Sequence, residues 1–250
     1  MTTDLPELAA GAHIQGVDLS SLDWAERDLT ELELTDCAFE DTQVSATVLE
    51  GAKFTRCRFL RCRFAHVDLR DAVFEDCSFA DPDSHSGPQF AFSRLEGAVL
   101  RRCDLSFADV DRTTLYGVAF ESCNLRGSRF HKADFSRAFG GKVVRIEARF
   151  DACSLELADL SDARLAGADL RGCSLREADL TQADLEGCDL RDADLFKALV
   201  EGAKLAKADL RGAELSGLDL LALSSWRDMK INAGQQHVLL AAMGVDVLPD

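Results

Sequence analysis

The sequence predicts an all-β solenoid, a four-sided coil stacked about ten turns high. Three observations predict it. First, Leu recurs at every fifth position from Leu160 to Leu195. Second, a small residue stands two places before each: Ala158, Ala163, Ala168, Cys173, Ala178, Ala183, Cys188 and Ala193. Third, a period of five fits neither the 3.6 of a helix nor the 2.0 of a strand, so a fixed repeat implies a repeat architecture. Let the Leu position be i. Each quintet then makes one side of a square, with i and i−2 pointing inward and the other three positions facing water. Four quintets close one turn, so i stacks on i+20. A single turn cannot bury its apolar interior, whereas stacked turns share one core. Each fully buried Leu or Phe contributes roughly 1.5–3 kcal/mol against the entropy of ordering the chain.

Taken in order, residues 1–11 are expected to be a capping or frayed segment. Quintets begin at Ile14 and keep one register to Phe79, 14 in all. The early i−2 positions Leu22, Arg27 and Leu32 are irregular, so the first coil is expected to be distorted or partly helical. The register then breaks. The step from Phe79 to Leu95 is three quintets plus one, and the segment between holds Pro82, Gly87 and Pro88 among Asp and Ser. This is loop chemistry, and an excursion is predicted over about 80–91 with Phe90 or Phe92 tucked back. A second register of 26 nominal quintets runs from Leu95 to Leu220, with Gly140 and Arg145 standing where Leu or Phe belongs. A second excursion is therefore predicted over about 136–147. The rival reading is a distorted coil filled by Phe139, Val143 or Ile146. The solenoid is placed over 12–220. After Leu220 the period stops, and 221–250 reads as a connection, a short helix capped by Asn232 and stopped by Gly244, and an apolar tail.

Composition narrows the function classes. The chain has 250 residues, 15 Phe, one Tyr and a net charge of −16. The amino-terminal stretch lacks a basic segment followed by an apolar run, and no apolar run is long enough to cross a bilayer. Neither a signal peptide nor a membrane span is expected. A cytoplasmic location follows as an expectation. All nine cysteines sit at i−2, where a thiol substitutes for Ala as a small hydrophobe. None has the CxxC spacing of a zinc site. The histidines His13, His66, His85, His131 and His237 are scattered, no phosphate-binding loop is present, and carboxylates repeat along the rod without forming a distinct pair. No catalytic residue, metal or cofactor is expected, and the chain is not expected to be an enzyme.

The acids suggest an alternative use. Seventeen of the 44 acids occupy i−1, a pattern that solubility alone could explain. The sharper reading is mimicry of DNA. Ten coils at ~4.8 Å make a rod of ~48 Å, and −16 spread along it gives one charge per ~3 Å, about half the density of duplex DNA. Arg171, Arg191 and Arg211 recur beside Asp169, Asp189 and Asp209, so one side should be near neutral. The overall charge argues against direct nucleic-acid binding.

The tandem A(D/N)LXX quintets resemble the pentapeptide-repeat family, whose fold is a right-handed quadrilateral β-helix. The run CSFADPDSHSGPQFAFSRLEGAVLRRCDLSFAD, from Cys77, resembles the Qnr group of quinolone-resistance proteins more closely. The end KINAGQQHVLLAAMGVDV, Lys230 to Val247, is similar to that group's C-terminal dimerisation segment. The resemblance implies a homodimer that binds DNA gyrase or topoisomerase IV and protects it from quinolones or a related gyrase poison. It implies partner-binding loops at Asp81, Asp83, Ser84, His85 and Ser86 and at Arg137, Phe139, Gly140, Gly141, Lys142 and Arg145. It places dimerisation at Val238, Leu239, Leu240, Met243, Val245 and Val247. This chain carries roughly one and a half more coils before the smaller loop than that group. The alternative function is a structural scaffold without a topoisomerase partner.

Overall fold

The computed structural model describes residues 7–81, 83–139 and 143–246. Parallel ladders between residues one coil apart organise nearly all of it. The longest pairs seven strands in one sheet, aligning Ile14, Leu34, Phe54, Phe74, Leu100, Phe120 and Phe150. This is side I of the coil. Side II aligns Phe39 with Phe59, side III aligns Val44, Phe64, Phe90 and Val110, and side IV follows as isolated bridges such as Asp28 to Val48. The i residues are buried from Ile14 to Leu220 wherever the coil is regular. In the N-terminal half they form stacked aromatic columns, with ring centroids 4.6 Å apart for Phe54 and Phe74 and 4.7 Å for Phe59 and Phe79. Offset stacking at this distance adds to burial.

The square corners come from the backbone. Residue i+2 adopts left-handed φ in most quintets, as at Asp36 (55°), Arg56 (51°) and Asp76 (54°). Its N–H donates to the next coil, as Asp36 N to Thr55 O at 3.0 Å, which helps offset a conformation that disfavours a Cβ.

The i−2 residue selects how the preceding side is built. Before Ala, the side closes a tight turn in which the Ala N–H donates to the carbonyl of i, as Ala52 N to Leu49 O (3.1 Å). Before Cys, Ser or Thr the side runs extended, and the side chain donates to the carbonyl two residues back, as Cys37 Sγ to Thr35 O (3.4 Å) and Ser93 Oγ to Ala91 O (3.3 Å). Cys173, Cys188 and Ser128 each follow a glycine and close turns. Every cysteine is free and buried. Seven of them, Cys37, Cys57, Cys77, Cys103, Cys123, Cys153 and Cys173, occupy the corner of sides I and II in seven successive coils, by the pairing of their neighbouring residues. Burial pushes the Cys62 thiol up to about 11 and those of Cys173 and Cys188 up to about 12.

The coil starts earlier and ends later than the sequence period suggests. Leu8 is buried and Gly11 N donates to Thr30 O, so the ladder begins before Ala12. Among the described residues the irregular early coil contains no helix: Trp24 fills its slot and Leu32 is fully buried. At the other end a one-residue insertion near Leu220 hides two further sides, whose bridges join Lys204 to Ser225 and Asp209 to Lys230. Only then does the chain form the helix Gln236–Ala242, entered through a 3-10 turn.

Candidate interaction site at the two excursions

Both departures from the coil leave from corners. Phe64 stacks on Phe90, where the coil period alone would bring Ser84, so six residues are inserted between sides II and III. Phe120 stacks on Phe150, where the period alone would bring Gly140, so ten are inserted between sides IV and I. The first insert is a short loop. Phe90 returns to the core while Phe92 stays exposed, stacked on His66 at 5.2 Å. The coil has resumed by the strand Gln89–Ala91.

The loop is closed by Asp81, whose N–H donates to Ser86 O (2.8 Å). Its carboxylate is nearly buried. It accepts from Arg61 Nη1 (3.0 Å) and Asp83 N (3.1 Å), and the Arg61 guanidinium holds it below the ordinary carboxylate range. Asp81 is therefore an anchor facing inward, whereas Asp83, Ser84 and His85 are exposed and Ser86 is half-buried. His85 packs edge-on against Phe107. At the exit, a Cβ on Gly87 would lie 2.3 Å from Ser106 O, so this close approach requires glycine.

The second insert is an antiparallel hairpin of Ser136–Phe139 and Val143–Ile146. Phe139 is 43% exposed and Val144 64% exposed, so the reading of this segment as distorted core gives way to a projecting ribbon. Ile146, at its foot, does pack on the core. Arg137 and Arg145 face each other across the two strands, and both lie over the Phe139 ring, at 5.6 and 5.4 Å. Phe139 meets Tyr116 edge-on at 5.8 Å. Burial there, together with the Glu147 carboxylate, pushes the Tyr116 phenol up. Gly140, Gly141 and Lys142 lie outside the described residues. The excursions thus sit at different corners and are not brought together into one cleft.

The C-terminal group divides in two. Leu239 is buried and Val238 packs on the same core, closing the end of the rod. Gln235 Nε2 donates to Leu210 O and Ala213 O, both at 2.8 Å, covering carbonyls that the ladder leaves open. Leu240, Met243 and Val245 point outward, 37–46% exposed. Val247 lies outside the described residues.

Charge is distributed unevenly. Arg171, Arg191 and Arg211 each bind the aspartate two residues before, at 2.6–2.7 Å, so that column of side I is neutralised. Residues 1–52 hold 12 of the 44 acids and one of the 28 bases, so −11 of the net −16 belongs to the first coils. The uniform density of one charge per ~3 Å does not hold along the rod.

The pentapeptide-repeat family model matches residues 45–81, 89–119, 103–139, 153–192 and 193–221, well over half of the chain. The chain belongs to the pentapeptide-repeat family. Among its relatives are the quinolone resistance pentapeptide repeat protein QnrB96 of Scandinavium goeteborgense, 27% identical over 42% of this chain and 49% of that one, and QnrB4 of Escherichia coli, 29% identical over 38% and 44%. The chain spans about half the length of these relatives. Full-length QnrB1, a plasmid-mediated fluoroquinolone resistance protein, shares the fold with a TM-score of 0.75 at 22% identity, over 94% of this chain and all of that one. HetL of Nostoc, involved in heterocyst differentiation regulation, shares it at a TM-score of 0.54 and 24% identity, over 86% and 87%. The repeat alone therefore does not select a function within the family.

Sequence reading passed over Tyr116 and Arg61. Both carried a signal. Arg61 precedes Asp81 by one coil, and Tyr116 is the only tyrosine, one coil below Ser136 at the foot of the hairpin.

Proposed function

We propose that this protein protects a type II topoisomerase, DNA gyrase or topoisomerase IV, from quinolones or a related gyrase poison. The observation that carries the reading is the pair of excursions, which interrupt an otherwise regular rod at two corners. A solenoid needs neither for stability, because each coil bonds only to its neighbours. The match to quinolone-resistance relatives supports the choice of partner. The acidic first coils supply a field that attracts a basic DNA-binding channel, and the exposed loop residues make the specific contacts. The outward residues Leu240, Met243 and Val245 join two copies end to end in the cytoplasm. No cofactor takes part.

The test is gyrase supercoiling with a fluoroquinolone present, titrating the protein from sub-stoichiometric to excess. Rescue at low concentration supports protection. Inhibition without rescue leaves DNA mimicry alone. No effect from a well-folded dimer, repeated with another gyrase poison, favours the scaffold reading.

A further inference from the structure

The hairpin reverses the charge of the body that carries it. Residues 136–146 contain Arg137, Lys142 and Arg145 and no acid. Arg137 and Arg145 are directly opposed across the strands, where like charges destabilise a β-pair. Among the described residues neither guanidinium has an ion-pair partner. Their stacking on Phe139 and Tyr116 offsets part of this repulsion but does not call for a second cation directly opposite the first. At the foot of the ribbon lies a cleft of about 350 Å³ lined by Arg137, Arg70, Arg94 and Tyr116 together with Asp71 and Glu96. There Arg70 and Arg94 are already paired with Glu50, Asp68 and Glu96, so the uncompensated charge belongs to the hairpin.

We propose that the hairpin face bearing Arg137, Phe139 and Arg145 is a docking surface for the phosphodiester backbone of a nucleic acid. These are loop residues that the proposed function sets against the topoisomerase; the contact inferred here is with nucleic acid and does not require that enzyme. Guanidinium forks match phosphate oxygens in pairs. An exposed aromatic ring between two cations suits a surface that alternates anions with apolar base and sugar edges. A two-stranded ribbon is also of a size that enters a major groove. Duplex DNA offers a charge every ~1.7 Å of axis, a density that scattered protein carboxylates rarely reach. The chain's own acidity does not forbid the contact. The acidic first coils end near Leu49, and Leu69, Leu95 and Leu115 separate it from Phe135 on the same side, four ladder steps or about 19 Å. That exceeds the screening length of ~10 Å at 0.1 M salt.

The test uses the full chain and no topoisomerase, so its failure is distinct from a failure of protection. Fluorescence anisotropy of a labelled duplex of about 20 base pairs would be followed from ~50 to ~200 mM salt. The Arg137→Ala/Arg145→Ala variant, which removes a like-charge pair, should keep its circular dichroism and thermal midpoint. It should bind at least ~10-fold more weakly and lower the log–log salt slope by about 1.8, two phosphate contacts at 0.9 each. The proposal is overturned if the unmodified protein leaves the duplex free across this range, or if the double variant binds with the same slope. Selective binding of poly-L-glutamate in place of DNA would also overturn it and assign the hairpin to an acidic protein surface.

Discussion

Removing Ser136–Arg145 should leave a well-folded rod. The ten residues are two whole quintets, so the junction reads Phe135-Ile146-Glu147-Ala148-Arg149-Phe150, with Ala148 at i−2 and Phe150 at i. The closing contacts lie outside the deletion: Gly117 N to Glu147 O at 2.7 Å, the pairing of Val118 with Ala148, and the Phe120–Phe150 stack. The variant loses the Phe139–Tyr116 contact, about 0.5–1.5 kcal/mol. The Arg–aromatic contact to Tyr116 adds about 0.5–1 kcal/mol to that loss. Against this, closing a ten-residue loop costs about 1.5RT ln 10, or ~2 kcal/mol, which the deletion recovers. The two terms nearly cancel, so stability should change by less than ~2 kcal/mol. Deleting one residue more, through Ile146, leaves four residues to span a side that needs five. The quintets from Phe150 to Leu220 then cannot reach their slots without breaking the corner, and the loss should exceed ~3 kcal/mol. Denaturant unfolding followed by far-ultraviolet circular dichroism compares the two. If the ten-residue deletion is the more damaging, the hairpin strands belong to the core and the argument from phase is wrong.

Other perturbations test other parts of the fold. Arg61→Ala strands the nearly buried Asp81 carboxylate and should lower the thermal midpoint by about 5 °C, with Asp81→Asn relieving much of the loss in a double-mutant cycle; additive losses would show that the pair is not coupled. In acid, the rungs at Asp169, Asp189 and Asp209 are among the ion-paired carboxylates whose protonation lowers stability. Arg211 lowers Asp209 to about 2, so its contribution is complete above the ordinary value of 3.8 and is lost as pH falls from there through about 2. Arg211 is half exposed, so screening leaves the Asp209 contribution at about 1 kcal/mol or less. An acid transition centred above pH 5 would contradict this assignment. Finally, none of the nine thiols should react with an aromatic disulfide reagent in native buffer, and all nine should react in denaturant. Two or more reactive thiols in native buffer would mean that the corner column is open to water.

What the sequence made legible follows from arithmetic on five. The coil was readable because Leu and Phe return at a fixed interval, and the six-residue loop because six is not a multiple of five. Phe90 rather than Phe92 fills the core because it lies five before Leu95. The hairpin kept the phase, so only the missing apolar residues at Gly140 and Arg145 betrayed it. Its antiparallel pairing of Ser136–Phe139 with Val143–Ile146 is local, and a period of five does not encode it. Beyond Leu220 a single inserted residue shifted the frame and concealed the sides that end at Lys230. The inward turn of Asp81 and of Val238 and Leu239 was hidden for a related reason: composition marks a segment as a loop or a helix without saying which of its side chains the neighbouring coil will claim.

The crowding of acids into the first coils gives the rod an electric dipole along its axis. A uniformly charged cylinder meets a basic groove broadside and with no preferred direction. A cylinder with most of its net charge at one end is turned by the field as it approaches, so that end arrives first and the neutralised shaft follows. If the rod enters such a groove as proposed, the direction of insertion would be set before any contact forms, and the excursions, several coils behind the tip, would come to rest at a fixed depth from the leading edge.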